Sequence, residues 1–176
     1  RTLVSIEITT PPVQTAYATG DYFNRNGMVV TAKYDDNTTA IVSNYQVSPN
    51  TPLTLEDTKI TITYREIGVS ATAEIPITVK NVLRKIEITQ PPYTVDYYVD
   101  DKFDNTGMIV EAFYSDGSHK PVTTYTWEPT RALTEQDNTI TISYTEDGVT
   151  ATTYQDITVG EAPDLVSIAI TNPPDK

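Results

Sequence analysis

Near the start of the chain lies the stretch Leu3-Val4-Ser5-Ile6-Glu7-Ile8-Thr9-Thr10-Pro11-Pro12, which recurs twice. The second copy spans residues 83–92 and the third spans residues 165–174. In each copy two isoleucines lie two positions apart, on the same side of an extended chain, which predicts a strand with one buried face. The double proline removes two donors from a sheet ladder and so ends or bends that strand. Each copy therefore marks the beginning of a new repeat.

The repeats account for the whole chain. Aligning each residue n with residue n + 80 gives 34 identities in 80 positions without a gap, a density that indicates tandem duplication. We expect repeat 1 at residues 1–81, repeat 2 at residues 82–160, a linker at residues 161–164 and the opening strand of a truncated third repeat at residues 165–176. The short linkers predict an elongated rod, and the incomplete repeat predicts a piece of a longer protein.

Short runs of alternating apolar and polar residues, bounded by Pro or Gly, fill both repeats. One run in repeat 1 places four apolar side chains on one face of a predicted strand: Met28, Val30, Ala32 and Tyr34. Residues that tolerate a positive φ predict tight turns at four places: Asp36-Asn37, Gly68, Asp116-Gly117 and Gly148. Six or seven short strands per repeat, with no amphipathic helical stretch, predict an all-β fold of two tandem immunoglobulin-like β-sandwiches.

The last apolar run of each repeat is interrupted. In repeat 1 apolar residues keep one parity from Val69 to Val79, but Pro76 removes a ladder donor. In repeat 2 Thr153 and Gln155 interrupt the same face. We expect a bulge, or a crossing between sheets, at these mid-strand positions.

The chain carries a formal net charge of −12 at pH 7 and contains no cysteine. Phosphate backbones and anionic lipids repel such a surface, so we expect no nucleic acid as a partner. Insertion into a membrane is not expected either, because no run approaches the roughly 20 apolar residues of a spanning helix. The lack of cysteine excludes disulfides and thiolate metal sites.

Residues that could carry catalysis are scarce. The one histidine, His119, lies in a predicted turn and is expected to be a surface residue. With one histidine and no cysteine, the chain has no catalytic triad or dyad and no histidine-based metal cluster. The isolated glycines form no phosphate-binding loop. We therefore expect a protein that is not an enzyme, with no catalytic, cofactor-binding or metal-ligating residues and no cofactor.

Four aspartates crowd one predicted loop of repeat 2: Asp96, Asp100, Asp101 and Asp104. Oxygen-rich loops of this kind can bind calcium. Repeat 1 has Ala16, Gly20, Asp21 and Asn24 at the matching positions, so the cluster is not a shared feature. A solvated loop is the favoured interpretation, and calcium binding is the alternative.

Tyrosines recur at four matching positions, which favours roles in the core or at its margin: Tyr17/Tyr97, Tyr34/Tyr114, Tyr45/Tyr125 and Tyr64/Tyr144. Trp127, which replaces Val47, is expected between the two sheets. Repeat 2 also has Tyr93 and Tyr98, which together with Tyr97 could form an exposed aromatic platform for a glycan. These patterns do not define a set of ligand-binding residues.

Several spaced motifs together resemble one family. Repeat 1 contains four segments in order: Leu3-x-x-Ile6-x-Ile8-Thr9-x-Pro11-Pro12, Tyr17-x-x-Gly20-Asp21-x-Phe23, Gly27-Met28-x-Val30-x-Ala32-x-Tyr34 and Ile77-Thr78-Val79. This order resembles the bacterial Ig-like repeats of group 3, over nearly the whole of both repeats. Repeat 2 departs from the pattern at Asp100, which stands where Gly20 does, so we expect that turn to differ.

The resemblance implies a fold and a class of function. Such domains occur in arrays on surface proteins of Gram-positive bacteria, in secreted enzymes and in phage structural proteins. It therefore implies a non-catalytic structural spacer or adhesion module of an extracellular protein at the bacterial cell surface. Two alternatives stay open: a capsid or tail decoration domain of a phage virion with weak host-surface adhesion, and an accessory segment of a secreted carbohydrate-active enzyme. The expected partners are neighbouring Ig-like repeats of the same chain, with a cell-surface glycan or protein as the further candidate.

Two further expectations concern covalent and non-covalent links. Some Gram-positive surface sandwiches carry an internal Lys–Asn isopeptide bond, but Lys33 and Lys59 have no lysine counterparts in repeat 2, nor has Lys102 one in repeat 1, so no shared cross-link is expected. The opening strand at residues 165–174 has no sheet of its own. We expect it either to pack on repeat 2 or to pair with another chain, and a fragment cut from a longer rod is the favoured origin.

Overall fold

A computed structural model describes residues 1–164 and Ile168. Within these residues the chain forms strands and contains no helix, so the predicted all-β fold is confirmed. The opening strand predicted at residues 165–176 lies outside the described residues, apart from Ile168, and its pairing stays a prediction. Repeat 1 and repeat 2 denote residues 1–81 and 82–160 throughout, with boundaries taken from the sequence.

Repeat 1 contains eight strands. In chain order they are β1 (Leu3–Thr10), β2 (Ala16–Ala18), β3 (Val29–Tyr34), β4 (Thr39–Val42), β5 (Gln46–Ser48), β6 (Lys59–Glu66), β7 (Val69–Pro76) and β8 (Thr78–Lys80). They form two three-stranded sheets, in the orders β1-β3-β4 and β5-β6-β7, and a two-stranded sheet of β2 and β8.

The core of repeat 1 lies between its two three-stranded sheets. Val30 and Ala32 of β3 belong to one buried cluster with Ile60 and Ile62 of β6, and all four side chains are fully buried. Burying the larger side chains, those of Val30, Ile60 and Ile62, stabilises the fold by roughly 1.5–3 kcal/mol each. The inward face predicted for β3 is therefore confirmed, and the arrangement is an immunoglobulin-like sandwich.

The run from β7 to β8 changes sheet at one residue. β7 pairs with β6 in antiparallel fashion as far as Pro76, and β8 then pairs with β2 in parallel. Between them the N–H of Ile77 donates to the carbonyl of Thr58 at 2.9 Å. The crossing between sheets predicted at Pro76 is therefore confirmed.

Repeat 2 also contains eight strands. They are β9 (Leu83–Gln90), β10 (Asp96–Tyr98), β11 (Ile109–Tyr114), β12 (His119–Val122), β13 (Thr126–Glu128), β14 (Thr139–Glu146), β15 (Val149–Asp156) and β16 (Thr158–Gly160). Their sheets have the orders β9-β11-β12, β13-β14-β15 and β10-β16, the same plan as in repeat 1.

The interruption predicted at Thr153 and Gln155 is wrong. β14 and β15 pair without a break over all eight residues of each strand. Gln155 fits on the half-buried face because its side-chain amide donates to the carbonyl of Asp156 at 2.8 Å. The chain changes sheet only at Ile157, the position that matches Ile77.

Two-residue turns join β6 to β7 and β14 to β15. The turn residues are Ile67-Gly68 and Asp147-Gly148, and all four have a positive φ, between 47° and 79°. This is the type I′ geometry of a tight hairpin, as the two glycines predicted. Aspartate and glycine tolerate it, but a β-branched residue does not. Repeat 1 therefore carries backbone strain at Ile67, at the tip of its hairpin. Because the side chain is 92% exposed, its burial does not compensate for this strain.

The turns predicted at Asp36-Asn37 and Asp116-Gly117 are confirmed. They join β3 to β4 and β11 to β12, with φ values of 61° at Asn37 and 84° at Gly117. The carboxylate of Asp36 accepts a hydrogen bond from the N–H of Thr38 at 3.0 Å, and Asp116 makes the matching contact. These side chains satisfy backbone donors that the strands leave free.

The turn that follows β2 is the same in both repeats, contrary to the expectation drawn from Asp100. Gly20 has a φ of 87° and Asp100 a φ of 75°. The N–H of Gly20 donates to the carbonyl of Leu53 at 2.8 Å, and that of Asp100 to Leu133 at 2.9 Å. The expectation was wrong because aspartate is among the few residues that enter this left-handed region.

The chain divides into two compact units. One comprises Arg1–Arg84 with Phe113–His119, and the other comprises Lys85–Ala112 with the described residues from Lys120 onward. Each unit has fully buried side chains of its own, such as Ile62 in the first and Ile142 in the second.

Candidate functional site

The first and last short strands of each repeat are parallel partners. In repeat 1, β2 pairs with β8, and two backbone hydrogen bonds of 2.9 Å flank the pair, from Thr78 to Thr15 and from Thr19 to Lys80. In repeat 2, β10 pairs with β16 in the same way, flanked by bonds of 2.9 Å from Thr158 and Val99. In each repeat the short strand that follows the opening strand is therefore held beside the strand that closes the repeat.

His119 is exposed, as predicted, but it does not lie in a turn. It is the first residue of β12, and its ring stacks on Phe113 of β11 with the centroids 5.2 Å apart and the planes at 22°. The ring therefore packs on the neighbouring strand of its own hairpin.

The four aspartates of repeat 2 do not converge. Asp96 accepts a hydrogen bond from the hydroxyl of Thr158, and Asp101 accepts one from a turn N–H at 2.8 Å. The hydroxyl and the N–H of Thr106 donate to Asp104 at 2.6 and 2.9 Å, which holds the pKa of Asp104 below its usual range. No group of three or more His, Cys, Asp or Glu is placed to hold a metal ion among the described residues.

The predicted aromatic platform is wrong in one member. Tyr97 is only 6% exposed, its hydroxyl donates to the carbonyl of Thr94 at 2.9 Å, and burial raises its pKa. Tyr93 and Tyr98 are exposed, and no ring contact joins them in the part of the chain that the structure describes. The ring of Tyr93 lies over Gly107, where an added Cβ would overlap it. Glycan binding at these two separate tyrosines stays a prediction.

Two of the three lysines considered for a cross-link lie in surface ion pairs. Lys33 contacts Glu7, and Lys59 contacts Glu74 at 2.7 Å. Side chains of all four residues are about half exposed, at 50–56%, so each pair contributes about 0–1 kcal/mol. Neither lysine contacts an asparagine side chain among the described residues.

One charged cluster belongs to repeat 2 alone. Both guanidinium nitrogens of Arg131 donate to Asp137, at 2.7 and 2.8 Å. The hydroxyl and the N–H of Thr134 donate to the same carboxylate. Together, and with Arg131 as the larger cause, these donors hold the pKa of Asp137 far below its usual range. Repeat 1 keeps the threonine cap at Asp57 but has Thr51 in place of the arginine.

A groove of about 480 Å³ runs beside β5 in repeat 1. Its lining residues are Arg25, Tyr45, Gln46, Val47, Ser48, Asn50 and Thr63. The guanidinium of Arg25 lies over the ring of Tyr45, 5.4 Å from its centroid, a cation–π contact. Arg25 makes no ion pair with any described residue. The groove is therefore polar, open and singly positive.

Repeat 2 carries a larger side chain at the matching place. Trp127 replaces Val47, and its ring meets Phe103 edge-on at 6.0 Å and Tyr125 at 6.3 Å. Trp127 is half-buried rather than fully buried as expected of a core residue, and it packs on the buried Phe103. Asn105 replaces Arg25 and donates to the hydroxyl of Tyr125 at 3.0 Å. The recurring tyrosines lie in the core or at its margin, as predicted.

The sequence patterns did not find the groove. Arg25 lies twenty residues before Tyr45 in the chain, and nothing in their spacing shows that the two side chains meet. One signal was available in the sequence: Val47 of repeat 1 aligns with Trp127 of repeat 2. Where one repeat has a large side chain and the other a small one, the repeat with the small side chain can have free space at that position.

Comparison with known proteins gives a family match within repeat 1. Residues 10–79 match the family model of the bacterial Ig-like domain (group 3). Among solved structures the chain is similar to a chimeric titin Z1Z2 functionalized with a KLER exogenous peptide from decorin, at 10% identity and a TM-score of 0.27, over 90% of this chain and 98% of that one. A search of curated proteins finds no match.

The family match also bears on the coarse class of function. Ig-like domain families are generally non-catalytic, and group 3 domains are typically extracellular. None of the described residues forms a helix long and apolar enough to cross a membrane. The match confirms the resemblance drawn from the spaced motifs for residues 10–79, which match the model of the bacterial Ig-like domain of group 3.

Proposed function

We propose that this chain is a non-catalytic structural module of an extracellular protein at the bacterial cell surface, where it extends the protein and holds a terminal domain away from the cell. The observation that carries the proposal is the parallel pairing of the first and last short strands in both repeats. Tandem duplication and the match to a typically extracellular family support it.

The parallel pairs suit a chain that bears tension. Pulling on the ends of repeat 1 draws β2 toward its N-terminus and β8 toward its C-terminus. In a parallel pair these two directions are opposite along the strand axis, so the strands must slide past one another. The flanking hydrogen bonds at Thr78 and Thr19 are then loaded together rather than one after another. A spacer exposed to shear flow needs this resistance, whereas a catalytic scaffold does not.

Surface exposure is the first consequence to test. Intact cells of the producing bacterium would be treated with trypsin, and the released peptides identified by mass spectrometry, with a cytoplasmic protein as the control for lysis. Release of peptides from this chain together with peptides of a wall-anchored domain supports the proposal. Recovery of the chain in purified virions, or in a secreted protein with a carbohydrate-active domain, would replace it with one of the two alternatives.

A further inference from the structure

We infer that the groove beside β5 in repeat 1 binds an acidic saccharide, with the sugar carboxylate paired to Arg25. This goes beyond the spacer role and does not rest on it, because a spacer needs no ligand.

The charges of the residues that line the groove favour an anionic ligand. The chain carries a net charge of −12, yet no lining residue of the groove is acidic. Arg25 is therefore the one formal charge in the lining. Its guanidinium carbon lies over the ring of Tyr45, 5.4 Å from the centroid, and no described acid pairs with it. A planar fork of N–H donors binds a carboxylate with two parallel hydrogen bonds.

The remaining lining suits a sugar ring. Tyr45 and Val47 are half-buried and supply a small apolar floor. The amides of Gln46 and Asn50 and the hydroxyl of Ser48 are exposed around it. Adjacent hydroxyls of a pyranose can accept from and donate to such groups. The volume of about 480 Å³ lies within the roughly 300–1,000 Å³ of small-ligand sites.

The second repeat provides an internal contrast. Trp127 and Asn105 stand where repeat 1 has Val47 and Arg25. The indole packs against Phe103 and Tyr125, and the cation is absent. Glu128, in place of Ser48, adds a negative charge. At the matching place repeat 2 thus has a larger aromatic side chain, no arginine and one additional acid.

The test uses the full two-repeat chain, titrated with digalacturonate while amide and side-chain NMR shifts are followed. Galactobiose, the neutral matched disaccharide, and a short glutamate peptide are the comparison ligands. Two results together support the inference: digalacturonate shifts resonances of the groove residues, and galactobiose binds at least about tenfold more weakly. Equal shifts with the neutral sugar, tighter binding of the peptide or no shift at all would overturn it.

Two variants copy repeat 2 into repeat 1. Arg25→Asn should weaken digalacturonate binding at least about tenfold, and Val47→Trp should abolish it by filling the groove. Lys33→Gln removes one positive charge on the other sheet and should leave binding unchanged. Because Arg25 is exposed, its variant keeps the core intact. Unchanged affinity in Arg25→Asn would contradict the assignment even if Val47→Trp were misfolded.

Discussion

Exchanging the first residues of the two type I′ turns should stabilise repeat 1 and destabilise repeat 2. Ile67 and Asp147 occupy the same position, with φ values of 47° and 50°. The exchange consists of Ile67→Asp in one variant and Asp147→Ile in another. Neither side chain is buried, so the backbone conformation dominates the effect.

The magnitude follows from backbone strain. An ordinary L-residue in the left-handed region costs about 1–2 kcal/mol, and aspartate costs less because its short polar side chain bonds locally. Ile67 is 92% exposed, so replacing it removes almost no buried apolar area. We expect Ile67→Asp to raise the free energy of unfolding of repeat 1 by about 1 kcal/mol. A change of that size shifts the melting temperature of an 80-residue domain by about 4–8 °C.

The assay uses the single tryptophan. Trp127 is the one tryptophan of the chain and lies in repeat 2, so its fluorescence follows that repeat in urea, whereas far-UV circular dichroism follows both. Asp147→Ile should lower the fluorescence midpoint. Ile67→Asp should leave that midpoint unchanged and move part of the circular dichroism transition to higher urea. Ile67→Val keeps the branched side chain and should give no gain, and equal stabilisation by Val and Asp would refute the strain argument.

Three further predictions concern repeat 2 and its counterpart. Asp100→Gly should stabilise repeat 2 in urea by up to about 1 kcal/mol, and Gly20→Asp should destabilise repeat 1, because both positions have a positive φ; the same sign for both variants would contradict this. Arg131→Thr should lower the fluorescence midpoint at neutral pH. The folded-state pKa of Asp137 is depressed, so its ion pair stabilises repeat 2 above the unfolded pKa of about 3.9, and this stability is lost as pH falls through the folded pKa. The difference in midpoint between Arg131→Thr and the parent should therefore vanish in acid. A difference that does not change with pH would rule out this cause. Leu133→Ala, at a side chain with 0% exposure, should cost about 2–5 kcal/mol by the same fluorescence assay, and a loss below 1 kcal/mol would show that the core collapses around it.

The sequence predicted what depends on periodicity and on turn chemistry. Alternation from Met28 to Tyr34 gave the buried face of β3, and Gly68 and Gly148 gave the hairpins. Pro76 marked the place of the crossing between sheets, but it is not the cause, since repeat 2 crosses at the matching place with Asp156 in its position. These signals are local, and each has one structural meaning.

The sequence was misleading where a residue has several ways to fit. Asp100 could either change its turn or adopt a left-handed φ, and the bond from its N–H to Leu133 fixes the second outcome. Gln155 could break the ladder or bond to its neighbour, and it bonds. Tyr97 was grouped with exposed tyrosines although its recurrence pointed to the core. The groove at Arg25 depends on contacts between separate loops and strands, which no local pattern contains.

Force spectroscopy on the two-repeat chain tests the central claim, that each repeat is a load-bearing module. We expect two unfolding events, each with a gain in contour length of about 25 nm for about 80 residues. A double variant, Ala16→Cys with Thr78→Cys, places a disulfide between register partners of β2 and β8 in a chain without other cysteines. Oxidised, it should remove about 20 nm from the event of repeat 1 and leave that of repeat 2, and reductant should restore it. The account would be contradicted if the chain without the disulfide showed no two discrete unfolding events and unfolded at forces no higher than those that unfold repeat 2 of the Leu133→Ala variant.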